Sequence, residues 1–187
     1  MSTARRCLLS LLLCCSLLLT LSEMAQNQTP PAPQKLSLTA VLVLTPEFCA
    51  TVKGREKIPV GKTACTELEP VLKGIFTSLT RVDDSSKAGD AQVVLEPKFA
   101  DVGSARAGFN HRELVVLVEW TVRDQSGKAV WIETVQGSAK SHIGNAFTHN
   151  SDLKHLVKDS VQDMAEQSVA KMSSSPQLLK VSAQPVK

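Results

Sequence analysis

The sequence predicts an α+β domain: a four-stranded sheet, mixed or antiparallel, with two helices on one of its faces. Two segments place apolar residues at helical spacing along one stripe, and four segments alternate apolar and polar residues as strands do. These segments follow one another as strand, helix, three strands and helix. Because each helix has a single apolar stripe, both stripes are buried when the helices lie against the same sheet.

Composition restricts the class of protein. The chain has 187 residues, of which 43% are hydrophobic, and a formal net charge of +3. The high hydrophobic content and small net charge exclude a disordered chain. They also argue against nucleic-acid binding, which a strong basic excess usually accompanies. The length suits one domain with its own buried core.

The first 25 residues have the pattern of a secretory signal peptide. Arg5 and Arg6 supply the positive start, and residues 7–21 are almost wholly apolar. About 20 residues are needed to cross a bilayer, so this run is short for a membrane-spanning helix. We therefore expect residues 1–25 to be a signal peptide and the chain to be exported, with an uncleaved signal anchor as the alternative.

The cysteines fall into two groups. Cys14 and Cys15 are candidate lipid-attachment residues, but Leu13 stands where a lipid-attachment sequence needs a small residue, and the apolar run continues beyond both. The favoured interpretation is that they fill the core of the signal peptide. Cleavage leaves Cys49 and Cys65, and an oxidising compartment favours a disulfide between them. The alternative is two buried, reduced thiols.

A tether, one domain and a tail are predicted for the mature chain. Residues 26–35 are polar and contain Pro30, Pro31 and Pro33, which is typical of an extended linker. A single α+β domain then occupies residues 36–172. Residues 173–187 begin with a serine run and are expected to form a flexible C-terminal tail.

The first strand and the first helix open the domain. Residues 36–44 carry an apolar residue at every second position, and the second half is apolar on both faces, which indicates an inner strand. Residues 45–63 contain Pro and Gly and are expected to form a loop. A helix from Thr63 or Thr66 to Leu79 follows. Its apolar stripe consists of Leu68, Val71, Leu72, Ile75, Phe76 and Leu79.

A second strand is predicted over residues 91–102. Because a helix joins it to the first strand, the two strands are expected to be parallel. Pro97 lies inside this segment and cannot donate a backbone hydrogen bond, so it predicts an edge position or a bulge. Residues 103–110 are expected to form a loop.

A β-hairpin follows. Residues 113–123 give the strongest strand pattern, and a turn at residues 124–127 leads into a partner strand over residues 129–139. Trp120 and Trp131 are interpreted as packing residues of this hairpin. An exposed Trp131 would instead indicate a contact surface.

A long amphipathic helix over residues 153–172 closes the domain. The loop before it, residues 141–150, is a candidate contact loop because binding residues concentrate on loops. Its candidate residues are His142, Asn145, Phe147 and His149.

The common catalytic motifs do not occur in the sequence. Gly61-Lys62-Thr63 resembles the end of a phosphate-binding loop, but the required earlier Gly is replaced by Glu56, a carboxylate. Neither His-Glu-x-x-His nor Gly-x-Ser-x-Gly is found. The sequence therefore predicts a protein that is not an enzyme and that holds no cofactor or metal.

Three stretches carry a resemblance to a known family. They are the strand LTAVLV at residues 38–43, the hairpin VEWTVRD at 118–124 with GKAVW at 127–131, and the closing helix at 153–172. In these patterns the chain resembles the small envelope lipoproteins of the LptE-like and YajG-like type over residues 36–172. The resemblance implies a lipidated cysteine, an accessory or scaffolding role at the bacterial envelope, and no catalytic residues.

The function expected from the sequence is that of a non-catalytic envelope protein that binds another protein or a lipid-like surface. It would be periplasmic or associated with the outer membrane. A secreted ligand-binding or inhibitory domain is one alternative, and it would enclose a cavity between sheet and helices. An exported hydrolase is another, and it would place His111, His142 or His149 beside a Ser or a carboxylate in a cleft.

Overall fold

The computed structural model describes residues 33–54, 57–106, 111–142 and 149–184. Five strands and four helices are found there, together with a short 3-10 turn at Ser85–Lys87. In chain order these elements are β1 (Leu36–Val43), α1 (Pro46–Cys49), α2 (Val60–Leu72), β2 (Phe76–Val82), β3 (Val93–Arg106), β4 (His111–Asp124), β5 (Ala129–His142), α3 (His149–Ser174) and α4 (Pro176–Ser182).

The strands form one mixed sheet in the order β2-β1-β3-β4-β5. β1 is parallel to both of its neighbours, β2 and β3, whereas β3, β4 and β5 form an antiparallel meander. The α+β class, the inner position of the first strand and its parallel pairing with the 91–102 strand are thus as the sequence predicts. The number of strands is five instead of four.

The additional strand, β2, lies where the sequence predicts the second half of a helix. α2 ends at Leu72, and Phe76 and Leu79 belong to β2. These two buried residues are three positions apart because the β1–β2 pairing is irregular between Leu36 and Thr39. Their spacing therefore imitates a helical stripe, and the prediction of a helix as far as Leu79 is wrong.

Pro97 lies in β3, an interior strand, but at a point where β1 no longer pairs with it, and the predicted bulge follows two residues later. The β3–β4 register shifts between Phe99 and Asp101. β1 pairs with β3 only as far as Leu95, and Pro97 comes after that point. The missing N–H of Pro97 therefore interrupts no hydrogen bond to β1.

The core lies between one face of the sheet and the helices α2 and α3. Every second residue of β4 is fully buried on this face, as the sequence predicts for the strongest strand. Trp120 is the largest fully buried side chain, and its indole Nε1 donates a hydrogen bond of 2.9 Å to Ser168 Oγ on α3. The buried residues of β4 are Leu114, Val116, Val118, Trp120 and Val122.

The C-terminal segment is helical, in contrast to the predicted flexible tail. α3 continues to Ser174, and α4 follows after Ser175, whose side chain accepts a hydrogen bond from the Leu178 backbone N–H at 3.3 Å. Leu178 is only 1% exposed. The serine run and Pro176 therefore end one helix and begin the next, since Ser at the N-cap and Pro in the first turn favour a helix start. Among the described residues, no helix is both long and apolar enough to cross a membrane.

α1 lies within the segment predicted as a loop. The backbone N–H of Phe48 donates to Thr45 Oγ1 at 3.1 Å, which caps this short helix. Cys49 at its end is joined to Cys65 of α2 by a disulfide with an S–S distance of 1.99 Å. α2 also begins earlier than the sequence suggests, at Val60, because the missing side chain of Gly61 lets α1 approach: a Cβ there would lie 2.2 Å from the Phe48 carbonyl oxygen.

Candidate binding edge

β5 forms one edge of the sheet, and the direction of its backbone groups can be determined. The Ser138 N–H donates to Asp163 Oδ2 of α3 at 2.7 Å, so this N–H points away from β4. Residues in an antiparallel ladder alternate between facing the partner strand and facing outward. The β4–β5 register is regular over this stretch, so the N–H and C=O groups of Ile132, Thr134 and Gln136 also face outward.

α3 covers the C-terminal half of this edge. A Cβ at Gly137 would lie 2.2 Å from the Met164 backbone nitrogen and 2.4 Å from the Ser160 carbonyl oxygen, so the helix backbone rests almost directly on the strand. One residue further, the Asp163 carboxylate satisfies the outward N–H of Ser138. The Ser138 N–H is therefore not available to an additional strand.

The N-terminal half of the edge is open. A cavity of about 610 Å³ lies between Ala129–Glu133 of β5 and the junction of α3 and α4 at residues 171–177. Consecutive residues of β5 line it, and consecutive residues of a strand point to opposite faces, so the cavity lies beside the edge of the strand. Lys171 and Glu133 form an ion pair at its inner wall, and Ile132 is 62% exposed at its outer wall.

The exposed apolar residue differs from the one that the sequence analysis singled out. Trp131 is only 7% exposed and packs in the core, so its side chain offers no contact surface. Its neighbour Ile132 points to the opposite face. The sequence contained the signal, because Ile132 is a large apolar residue at an outward position of the hairpin strand.

The candidate contact loop is only partly described. Asn145 and Phe147 lie outside the described residues, as do Cys14, Cys15 and the predicted signal peptide. His149 is the first residue of α3, and its side chain is likewise outside the description. His142 ends β5 and is exposed.

The structure places His142 directly opposite His111, a pairing that the sequence analysis missed. Their ring centroids are 5.2 Å apart in an edge-to-face arrangement. A regular register continued outward from the 124–127 turn would have placed His111 opposite Ser141, because the β4–β5 pairing shifts by one residue between Val122 and Arg123. Within the described residues, no group of three His, Cys, Asp or Glu side chains is arranged to hold a metal.

A second cavity, of about 510 Å³, lies at the carboxyl end of β1 and is lined by several carboxylates. A hydrogen bond from Lys87 Nζ at 2.6 Å lowers the pKa of Asp83, and the Ser86 backbone N–H lowers the pKa of Asp84. Arg123 binds Glu96 at 2.9 Å. Asp83, Asp84 and Glu96 thus have partners within the chain, so these three carboxylates do not indicate a bound cation.

Comparison with solved structures identifies the fold. A protein of Xanthomonas campestris from the DUF330 family matches with a TM-score of 0.52 at 10% identity, over 79% of this chain and 94% of that one. A candidate lipoprotein from Caulobacter crescentus matches with a TM-score of 0.49 at 14% identity, over 78% and 92% of the two chains. A minor lipoprotein from Acinetobacter baumannii matches with a TM-score of 0.44 at 15% identity, over 73% and 93%.

The match to the Xanthomonas protein shows the fold of this chain. The chain shares the α+β fold of the Xanthomonas protein. Two of the three neighbours above are described as bacterial lipoproteins, and none of the three is described as LptE-like or YajG-like. No protein-family model matches the sequence, and no curated protein matches it significantly.

Proposed function

We propose that this chain is an exported, non-catalytic envelope protein that binds another protein by adding a strand to the open half of β5. The main support for this proposal is that the two halves of the β5 edge differ. α3 contacts the strand at Gly137 and Ser138, whereas a cavity lies beside residues 129–133. The signal-like residues 1–25 support export, to the periplasm or the outer membrane.

Strand addition supplies hydrogen bonds from backbone groups and specificity from alternate side chains. The outward N–H and C=O groups of Ile132 and Thr134 are positioned to pair with an extended segment. The exposed Ile132 side chain would contact the residue of that segment that lies opposite it on the same face of the sheet. The partner segment is therefore an extended peptide of a few residues with an apolar residue opposite Ile132.

A protein partner fits the described surface better than a lipid surface does. Binding to lipid acyl chains requires a broad apolar patch, because the stabilisation grows with the apolar area buried. Among the described residues, only Val52 and Ile132 are large hydrophobic residues with high exposure, and Val52 lies between α1 and α2 whereas Ile132 lies in β5. Exposed backbone groups at a strand edge are, in contrast, specific to protein partners.

Photo-crosslinking in cells that naturally make the protein tests this proposal. A photoreactive amino acid at position 132 should crosslink to a protein, whereas the same amino acid at Glu119, exposed on the neighbouring strand β4, should not. Ile132→Pro should abolish complex formation, because the N–H that it removes points to the edge and not to β4.

Hydrogen exchange on the purified complex provides the structural readout. The backbone N–H groups of Ile132 and Thr134 should become protected when the partner binds, while that of Ser138, already bonded to Asp163, should change little. Equal crosslinking at positions 119 and 132 would contradict strand addition. Crosslinks from position 132 to lipid alone would favour the lipid-surface alternative.

A further inference from the structure

We propose that His111 and His142 form a two-histidine site for a divalent transition-metal ion such as Zn²⁺ or Cu²⁺. The two residues are the outermost pair of the β4–β5 ladder and are both exposed. This inference uses the opposite end of the hairpin from the open half of β5, and it does not depend on the proposed function.

The register fixes the two imidazoles on the same face. Directly paired residues of an antiparallel ladder project their side chains to one side of the sheet. The β4–β5 pairing is regular from Val122 opposite Trp131 out to His111 opposite His142. The hairpin therefore holds the two β-carbons as neighbours before any ion binds, so the ion does not have to order the backbone.

The separation of the rings fits a shared metal ion. Zinc–nitrogen bonds are about 2.0–2.1 Å long, and a ring nitrogen lies roughly 1.1 Å from its ring centroid, so two imidazoles at a tetrahedral angle have centroids about 5.2 Å apart. The centroids of His111 and His142 are 5.2 Å apart, with the ring planes inclined by 74°. The separation of the centroids is therefore compatible with one nitrogen of each ring binding a common ion.

The charges around the pair are of both signs. Glu113, on the same face of β4 two residues from His111, pairs with Lys140 of β5 at 3.7 Å. Its carboxylate favours a cation, whereas Lys140 and Arg112 oppose one. Within the described residues, His111 and His142 are the two imidazoles at this end of the hairpin.

Metal titration of the full chain tests the site, with Cys7, Cys14 and Cys15 replaced by Ser in every sample so that their thiols do not compete. Zn²⁺ should bind, as measured against a chromophoric chelator. His111→Ala and His142→Ala should each weaken binding by about tenfold or more, since each removes one of two protein ligands. His155→Ala, at an exposed position on α3, is the matched control and should leave the affinity unchanged.

Pulsed electron paramagnetic resonance with Cu²⁺ counts the ligands directly. The parent chain should show two coordinated imidazoles, and His111→Ala should show one at most. Circular dichroism confirms that each variant is folded, which the exposure of both rings favours. Unchanged affinity in His111→Ala and His142→Ala would overturn the proposal, as would an equal loss in all three histidine variants.

Discussion

Gly137→Ala is the substitution that most directly tests how α3 lies on β5. The added Cβ would lie 2.2 Å from the Met164 backbone nitrogen, 2.4 Å from Met164 Cβ and 2.4 Å from the Ser160 carbonyl oxygen. Ordinary van der Waals contact begins at 3.4 Å. Two of the three atoms are backbone atoms, so no side-chain rotation relieves the overlap, and α3 must move away by about 1 Å.

That displacement sets the expected loss of stability. Overpacking a well-packed core typically costs about 1–3 kcal/mol, and we expect Gly137→Ala at the upper end because a helix backbone has to move. For a domain of this size each kcal/mol lowers the melting temperature by about 2–4 °C, so the expected decrease is about 6–12 °C. The hydrogen bond from Ser138 to Asp163 should lengthen as well, since it spans the same contact.

Urea unfolding of the parent chain and two variants measures this effect. Gly103→Ala is the matched control: it lies in β3, and a Cβ there meets nothing within 4 Å. The control should be neutral or slightly more stable, because Ala loses less conformational entropy than Gly on folding. If Gly137→Ala unfolds at the same urea concentration as Gly103→Ala, the close approach of α3 to β5 is refuted.

Three further predictions concern the core, the disulfide and the hairpin turn. Ser168→Ala should lower the free energy of unfolding by about 1–3 kcal/mol, because it leaves the buried Trp120 indole N–H without an acceptor; urea unfolding with Trp120→Phe as the partner substitution should show that the two losses are not additive. Replacing Cys49 and Cys65 together by Ser should lower the free energy of unfolding by roughly 3 kcal/mol under oxidising conditions, because the unfolded chain regains the conformational entropy that the disulfide removes. A reducing agent should destabilise the parent and leave the double variant unchanged. At the turn, the hydrogen bond from the Ser126 side chain lowers the pKa of Asp124. The ionised carboxylate therefore stabilises the fold above the ordinary pKa of 3.8, and this stabilisation is lost as the pH falls below that value. When unfolding is measured against pH, the difference in free energy of unfolding between the parent and Asp124→Asn should become smaller in acid.

Local periodicity in the sequence was enough to predict much of the fold. The alternation in β4 identified its buried face, and Gly127 has the positive φ expected for a turn residue, +79°. The errors arose where a non-local contact decides the outcome. The spacing of Phe76 and Leu79 is compatible with a helix or with an irregular strand, and only the pairing with β1 distinguishes the two.

The candidate binding edge was harder to predict, because the order of strands in a sheet depends on pairings between distant segments. Pro97 suggested an edge in β3, yet the short β1 ladder and a bulge accommodate this residue inside the sheet. The actual edge, β5, carries no Pro, and it has Gly137 at the point where the helix touches it. A glycine inside a strand is a signal for close backbone approach, and here it marks where the edge is covered.

The interruption between α3 and α4 explains why only half of β5 is covered. α3 follows the strand from Gly137 to Glu133, where Lys171 makes its ion pair, and then ends at Ser174. Ser175 and Pro176 start a new helix, and α4 is tied to the far side of the sheet because the Ser37 backbone N–H donates to Ser182 Oγ at 2.8 Å. The junction of α3 and α4 thus lies beside Ala129–Glu133, where it lines the cavity together with β5. Ser175 and Pro176, which the sequence analysis placed in a C-terminal tail, therefore lie beside the open half of β5.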